Sequence, residues 1–93
     1  MRYFKRRWDE PRDDEHEGWG GSVWLFEADE DLNVTRQLLI YDSGATLKYD
    51  ESLLDDEYGG LTDQPLELKD YARYEITPAE FEAAWNAARP VNG

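Results

Sequence analysis

Residues 22–49 read SVWLFEADEDLNVTRQLLIYDSGATLKY, and this stretch decides the fold. Ser22–Ala28 is rich in residues that suit a pleated surface, which predicts a strand. Asp29-Glu30-Asp31 turns the chain into a second strand over Asn33–Tyr41. Asp42-Ser43-Gly44 is a hairpin-closing signal, and Ala45–Tyr49 returns beside it. Upstream, Arg2–Trp8 (RYFKRRW) alternates as a further strand, with Phe4 and Trp8 on one face and Tyr3 on the other. Asp9-Glu10-Pro11 ends that strand, because Pro11 has no amide to give to a ladder. The polar, glycine-rich residues 12–21 form a loop. Four strands in series with short connections predict a meandering antiparallel sheet, one face buried and the other wet.

Downstream, Ile76-Thr77-Pro78-Ala79-Glu80-Phe81 announces a helix. Thr77 takes the N-cap, Pro78 the first helical position and Glu80 the third, where its carboxylate reaches back to the cap amide. Ile76 and Phe81 are spaced as a hydrophobic staple. Phe81, Ala84, Trp85 and Ala88 then make one apolar stripe, and Pro90 stops the helix. That stripe predicts Phe81 and Trp85 buried against the sheet, with a loss of roughly 3–5 kcal/mol for Trp85→Ala. Residues 50–70 give no regular element: DESLLDDEYGG reads as a helical turn or an irregular loop, and Pro65–Asp70 as at most a short extended piece. The expected fold is α+β, a single domain over residues 1–93. Its core is a four- or five-stranded antiparallel meander with one C-terminal helix packed on one face.

Charge is the second signal. The chain carries 22 Asp+Glu against 10 Lys+Arg, a net charge of −12, and residues 13–70 hold 17 acids and three bases. Thirteen aromatic residues, four of them Trp, argue for a packed core rather than an acidic disordered tail. There is no cysteine, which removes disulfides, thiolate nucleophiles and Cys-ligated zinc. No apolar run approaches the roughly 20 residues of a membrane span. The basic start lacks the apolar run of a signal peptide, so a cytoplasmic monomer without membrane contact is expected.

Motifs for chemistry do not assemble. His16 is the single histidine and lies among flexible acids, without a nucleophile signature. Asp29-Glu30-Asp31 begins like a calcium loop, but Val34 stands where Gly is required and Ile40 where a bidentate Glu belongs. Gly18-Trp19-Gly20-Gly21 lacks the lysine and spacing of a phosphate loop. The basic, aromatic start hints at nucleic acid, yet a charge of −12 repels phosphate, and cross-strand pairing with acids accounts for those bases. No catalytic residue, cofactor or metal is expected, and an enzyme is the weakest reading.

Two segments carry a likeness: Met1-Arg2-Tyr3-Phe4-Lys5-Arg6-Arg7-Trp8 with Pro11, and Ile76-Thr77-Pro78-Ala79-Glu80-Phe81-Glu82-Ala83-Ala84-Trp85. These resemble a group of small bacterial domains that open on M-[KR]-Y-[FI]-K-x-x-W and close on [IL]-[ST]-x-x-E-F-E-x-x-W. Those domains are in turn similar to immunity proteins of polymorphic-toxin systems. The resemblance implies a protein that binds and blocks a cognate toxin; it covers about a fifth of the chain and transfers no functional residue. Acidity points the same way, because a carboxylate-rich face steers toward a basic partner. The expected contact residues are Asp13, Asp14, Glu15, Glu17 and Trp19 in the first loop. Asp29, Glu30 and Asp31 in the hairpin turn follow, with Asp55, Asp56 and Glu57. The alternative is a DNA-mimic regulator or anti-defence inhibitor that turns the same acids on a nucleic-acid-binding protein.

Overall fold

The computed structural model describes residues 1–92. Strands β1 (Arg2–Trp8), β2 (Ser22–Ala28), β3 (Val34–Tyr41) and β4 (Thr46–Tyr49) run antiparallel in chain order, as the sequence predicts. A two-residue hairpin follows, β5 (Asp55–Asp56) with β6 (Gly59–Gly60), then a single helical turn α1 (Leu68–Tyr71). The short strand β7 (Glu75–Ile76) leads into helix α2 (Pro78–Ala87). Strand β7 pairs with β1, so the main sheet has five strands in the order β4-β3-β2-β1-β7. Among the described residues, no helix is long and apolar enough to cross a membrane.

Register assigns side chains to faces. Leu25 lies opposite Lys5 and Leu38, which sets Tyr3, Leu25 and Leu38 on one face. Helix α2 covers that face and inserts Phe81, which is fully buried. Thr77 Oγ1 accepts from the Glu80 amide at 3.1 Å, the expected cap. The reciprocal half of the capping box is replaced: the Glu80 carboxylate takes Lys5 Nζ at 3.3 Å, a cation that β1 delivers to the same spot. Trp85 departs from expectation and is only half-buried. It stacks on Phe81 at the rim of the helix, with Arg36 and Lys48 over its ring at 5.0 and 4.7 Å.

The opposite face is not wet. Phe4, Phe26, Leu39, Leu47 and Tyr49 are all buried there, under residues 50–71. The cause is that β2 and β3 carry apolar side chains on both faces (Trp24 and Phe26 against Leu25; Leu39 against Leu38 and Ile40), so a second cover is required. Polar anchors hold that cover. The buried Gln37 amide donates to Gly60 O and accepts from the Thr62 amide, both at 3.0 Å. Tyr49 donates its hydroxyl to Asp56 at 2.8 Å. At the outer edge of the sheet, Asn92 mimics a strand: it donates to Lys48 O at 3.0 Å and accepts from Lys48 N at 3.1 Å. That closes backbone groups which would otherwise template pairing with another chain.

One charged network lies under α2. Glu27, 8% exposed, accepts from the Tyr3 hydroxyl at 3.1 Å, from Thr35 Oγ1 at 2.7 Å and from the Arg36 guanidinium. Arg36 also pairs with Glu82 of the helix and lies 4.8 Å over the Phe81 ring. The Arg36 hydrogen bond holds the Glu27 carboxyl below the usual carboxylate range, against the opposing pull of burial.

Candidate functional site

Pro11 releases the chain from the sheet, and Arg12 then folds inward to organise the first loop. Its guanidinium donates to Asp14 (2.7 Å), to the Tyr41 hydroxyl (3.1 Å) and to Tyr58 O (2.6 Å). Asp14 also accepts from the His16 amide at 2.8 Å. Together these bonds hold the Asp14 carboxyl below its ordinary value. Glu17–Trp19 forms one 3₁₀ turn that lays Trp19 back over the sheet edge. The Trp19 ring stacks on His16 (4.4 Å) and beside Tyr58 (5.7 Å), the three rings forming a triangle, and leans on Tyr41 at 5.1 Å. Trp19 is thus half-buried in an aromatic stack rather than free in a mobile loop.

Backbone bonds lock this loop to the β3–β4 turn: Asp42 N donates to Gly21 O and Ser43 N to Trp19 O. Arg7 grips Asp42 through two bonds, at 2.6 and 3.0 Å, and holds its carboxyl below the ordinary range. A Cβ on Gly21 would lie 2.8 Å from Trp8 O and 2.7 Å from the Arg7 guanidinium, whereas one on Gly18 meets nothing. Gly21→Ala is therefore expected to destabilise by roughly 1–3 kcal/mol through overpacking. Gly18→Ala should be close to neutral, and urea unfolding of both variants checks the difference.

The expected contact acids separate into two kinds. Asp14, Asp29 and Asp56 are committed to folding. Asp29 accepts from the Asp31 and Asn33 amides, both at 3.0 Å, as a turn carboxylate should. Asp56 accepts from Tyr49, the Tyr58 amide and Asn92. Asp13, Glu15, Glu17, Glu30, Asp31, Asp55 and Glu57 are exposed. The His16 and Tyr58 rings, 5.3 Å apart, bring the β5–β6 turn with Glu57 and Asp55 beside the loop of Asp13, Glu15 and Glu17. Glu30 and Asp31 sit at the other end of β2, seven residues or roughly 20 Å away. The three acidic runs therefore give one paired cluster and one distant one. Arg12, Tyr41 and Tyr58, which build the platform, carry no motif that sequence reading could have used.

The N-terminal bases do pair with acids, but only Arg2 does so across strands, with Glu75 of β7. Lys5 takes Glu80 of the helix, and Arg7 takes Asp42 of the β3–β4 turn and Asp9, because the β2 residues opposite Lys5 and Arg7 are Leu25 and Val23. Among the described residues, Arg6 alone on β1 has no carboxylate partner. No group of three or more His, Asp or Glu among them is arranged to hold a metal ion. Compared with protein-family models, curated proteins and solved structures, the chain matches none.

Proposed function

We propose that the chain is an acidic binding protein of the immunity type, which neutralises a cognate bacterial toxin by covering a basic active-site or substrate-binding surface. One observation carries this reading. Exposed carboxylates, Asp13, Glu15 and Glu17 with Asp55 and Glu57, lie on two segments some 40 residues apart whose His16 and Tyr58 rings meet in an aromatic platform that Arg12 ties together. Asp14 and Asp56 in the same two segments are spent on internal hydrogen bonds, whereas these five remain exposed to a partner. A preformed platform lowers the ordering cost of association, and clustered like charge raises the encounter rate with a basic surface. A DNA mimic would spread its charge along a continuous band, near one per 1.7 Å of axis. The paired cluster at one end of the sheet favours a compact plug over such a band.

The test begins with affinity capture from the source cell at low salt and identification of the partner. Co-expression with this chain should then relieve any growth arrest that the partner causes. The five-site variant Asp13→Asn, Glu15→Gln, Glu17→Gln, Asp55→Asn, Glu57→Gln should unfold within about 0.5 kcal/mol of the wild type. It should bind the partner roughly 100-fold more weakly, since truncated interfacial charge pairs cost about 2–5 kcal/mol. Neutralising the exposed Asp63, Glu67 and Asp70 serves as the control and should change affinity little. Equal losses in the two variants, or an on-rate indifferent to salt, would remove charge complementarity from the argument.

A further inference from the structure

Arg6 stands out because its surroundings are aromatic in a protein whose surface is acidic. Its guanidinium lies 5.3 Å from the Trp8 ring, 5.3 Å from Tyr71 and 5.4 Å from Tyr74. Arg2, Arg7, Arg12 and Arg36 all give their donors to carboxylates. With rings on its faces and no buried side-chain donor left unsatisfied, Arg6 presents its N–H edge to solvent. A guanidinium held in this way offers the planar fork that carboxylates and phosphates accept bidentately.

Two clefts meet at this residue. One, of about 320 Å³, is lined by Arg6, Trp8, Trp24 and Tyr71. The other is lined by Arg6, Lys69, Asp70 and Arg73, and neither Lys69 nor Arg73 is ion-paired among the described residues. Trp8 is 44% exposed beside them, which leaves a large aromatic surface in water. The aromatic cleft falls in the size range of small-ligand pockets. The cationic side brings together three bases that have no ion pair among the described residues, Arg6, Lys69 and Arg73, with Asp70 as the one carboxylate in its lining.

We infer that the cleft between β1 and α1 binds a small planar aromatic anion, the ring stacking among Trp8, Trp24 and Tyr71 and the anionic group taken by Arg6 with Lys69 and Arg73. A polyanion is disfavoured, because the net charge of −12 acts along its whole length. A single phosphate or carboxylate feels chiefly the cations next to it, since distant charges are screened beyond about 8 Å. None of the acids assigned to toxin binding lines either cleft, so the inference does not rest on that reading.

AMP and indole-3-acetate serve as probes of the two anion sources, with adenosine and inorganic phosphate as the separate halves. Two-dimensional NMR of the full chain follows the four Trp indole N–H signals. Saturable shifts are expected at Trp8 and Trp24 with AMP, indole-3-acetate or both, and which one binds tells phosphate from carboxylate. Adenosine and phosphate alone should bind at least about tenfold more weakly, the loss that follows when one of two anchoring contacts worth roughly 1.4 kcal/mol is missing. Arg6→Gln should weaken binding by a similar factor. Arg6→Lys, which keeps the charge and loses the fork, should fall between. Native chemical-shift dispersion in each variant excludes misfolding as the cause. The inference is overturned if neither probe gives a saturable shift below about 10 mM, if shifts fall outside this cleft, or if folded Arg6→Gln binds like the wild type.

Discussion

Replacing Arg36 by alanine should cost roughly 3–5 kcal/mol, the loss found when one partner of a buried ion pair is removed. Glu27 would keep its charge at 8% exposure with only the Tyr3 and Thr35 hydroxyls to satisfy it. Glu82 would lose its hold on the sheet, and the rings of Phe81 and Trp85 would lose the guanidinium that lies over both. A domain of this size has about 5–14 kcal/mol in all, so the variant should melt at least about 12 °C lower, at 4–8 °C per kcal/mol. Pairing Arg36→Met with Glu27→Leu should recover much of the loss, because an apolar replacement leaves no stranded charge. The same network predicts an acid response. The Glu27 carboxyl is held below its ordinary value of 4.5, so its stabilisation is complete above that pH and is lost as pH falls through the lowered value. The gap between wild type and Arg36→Ala should therefore narrow in acid, where protonation removes the stranded charge. Thermal unfolding of both proteins at pH 7 and near pH 3.5 tests this, and a loss under about 1 kcal/mol or a gap independent of pH would contradict it.

Phe81→Ala should destabilise by roughly 3–5 kcal/mol and Trp85→Ala by only about half as much, although the tryptophan is the larger side chain. Phe81 is fully buried between Tyr3, at 5.0 Å, and the sheet residues Leu25 and Leu38, so its removal opens a cavity in the middle of the helix–sheet contact. Trp85 is half-buried at the rim, where its ring is flanked by the cations of Arg36 and Lys48, and water can fill part of the space it leaves. Urea unfolding of the two variants measures the ratio. A larger loss for Trp85 would show that the rim cations depend on that ring more than the core depends on Phe81.

How far the site could be read from sequence depends on how local each cause is. The acidic runs at 13–17, 29–31 and 55–57 are plain in the chain, and so is their exposure at most positions. Which acids stay free is a different question. Asp13 and Asp14 are chemically identical neighbours, yet only Asp14 meets Arg12, and Arg12 is turned inward by Tyr41 and by the backbone of Tyr58, 46 residues away. Asp56 is likewise withdrawn by Tyr49 and Asn92, whereas Asp55 beside it is exposed.

By itself the sequence determined the elements whose causes lie within a few residues. The alternation of Arg2–Trp8, the turns at Asp29–Asp31 and Asp42–Gly44, and the Thr77–Pro78–Glu80 helix start all appear in the structure where local chemistry puts them. The meander pointed to one wet face, yet a signal for the second cover stands in the apolar runs Val23–Phe26 and Leu38–Tyr41, which do not alternate as a half-wet sheet would. Only the tertiary structure decided what covers that face, because the bonds that hold residues 50–71, from Gln37 to Gly60 and from Tyr49 to Asp56, join segments whose meeting no local pattern announces. It also decided the fates of Arg6 and Arg7. Successive strand residues point to opposite faces, so Arg7 reaches Asp42 and is neutralised, while Arg6 faces three aromatic rings and keeps its charge free.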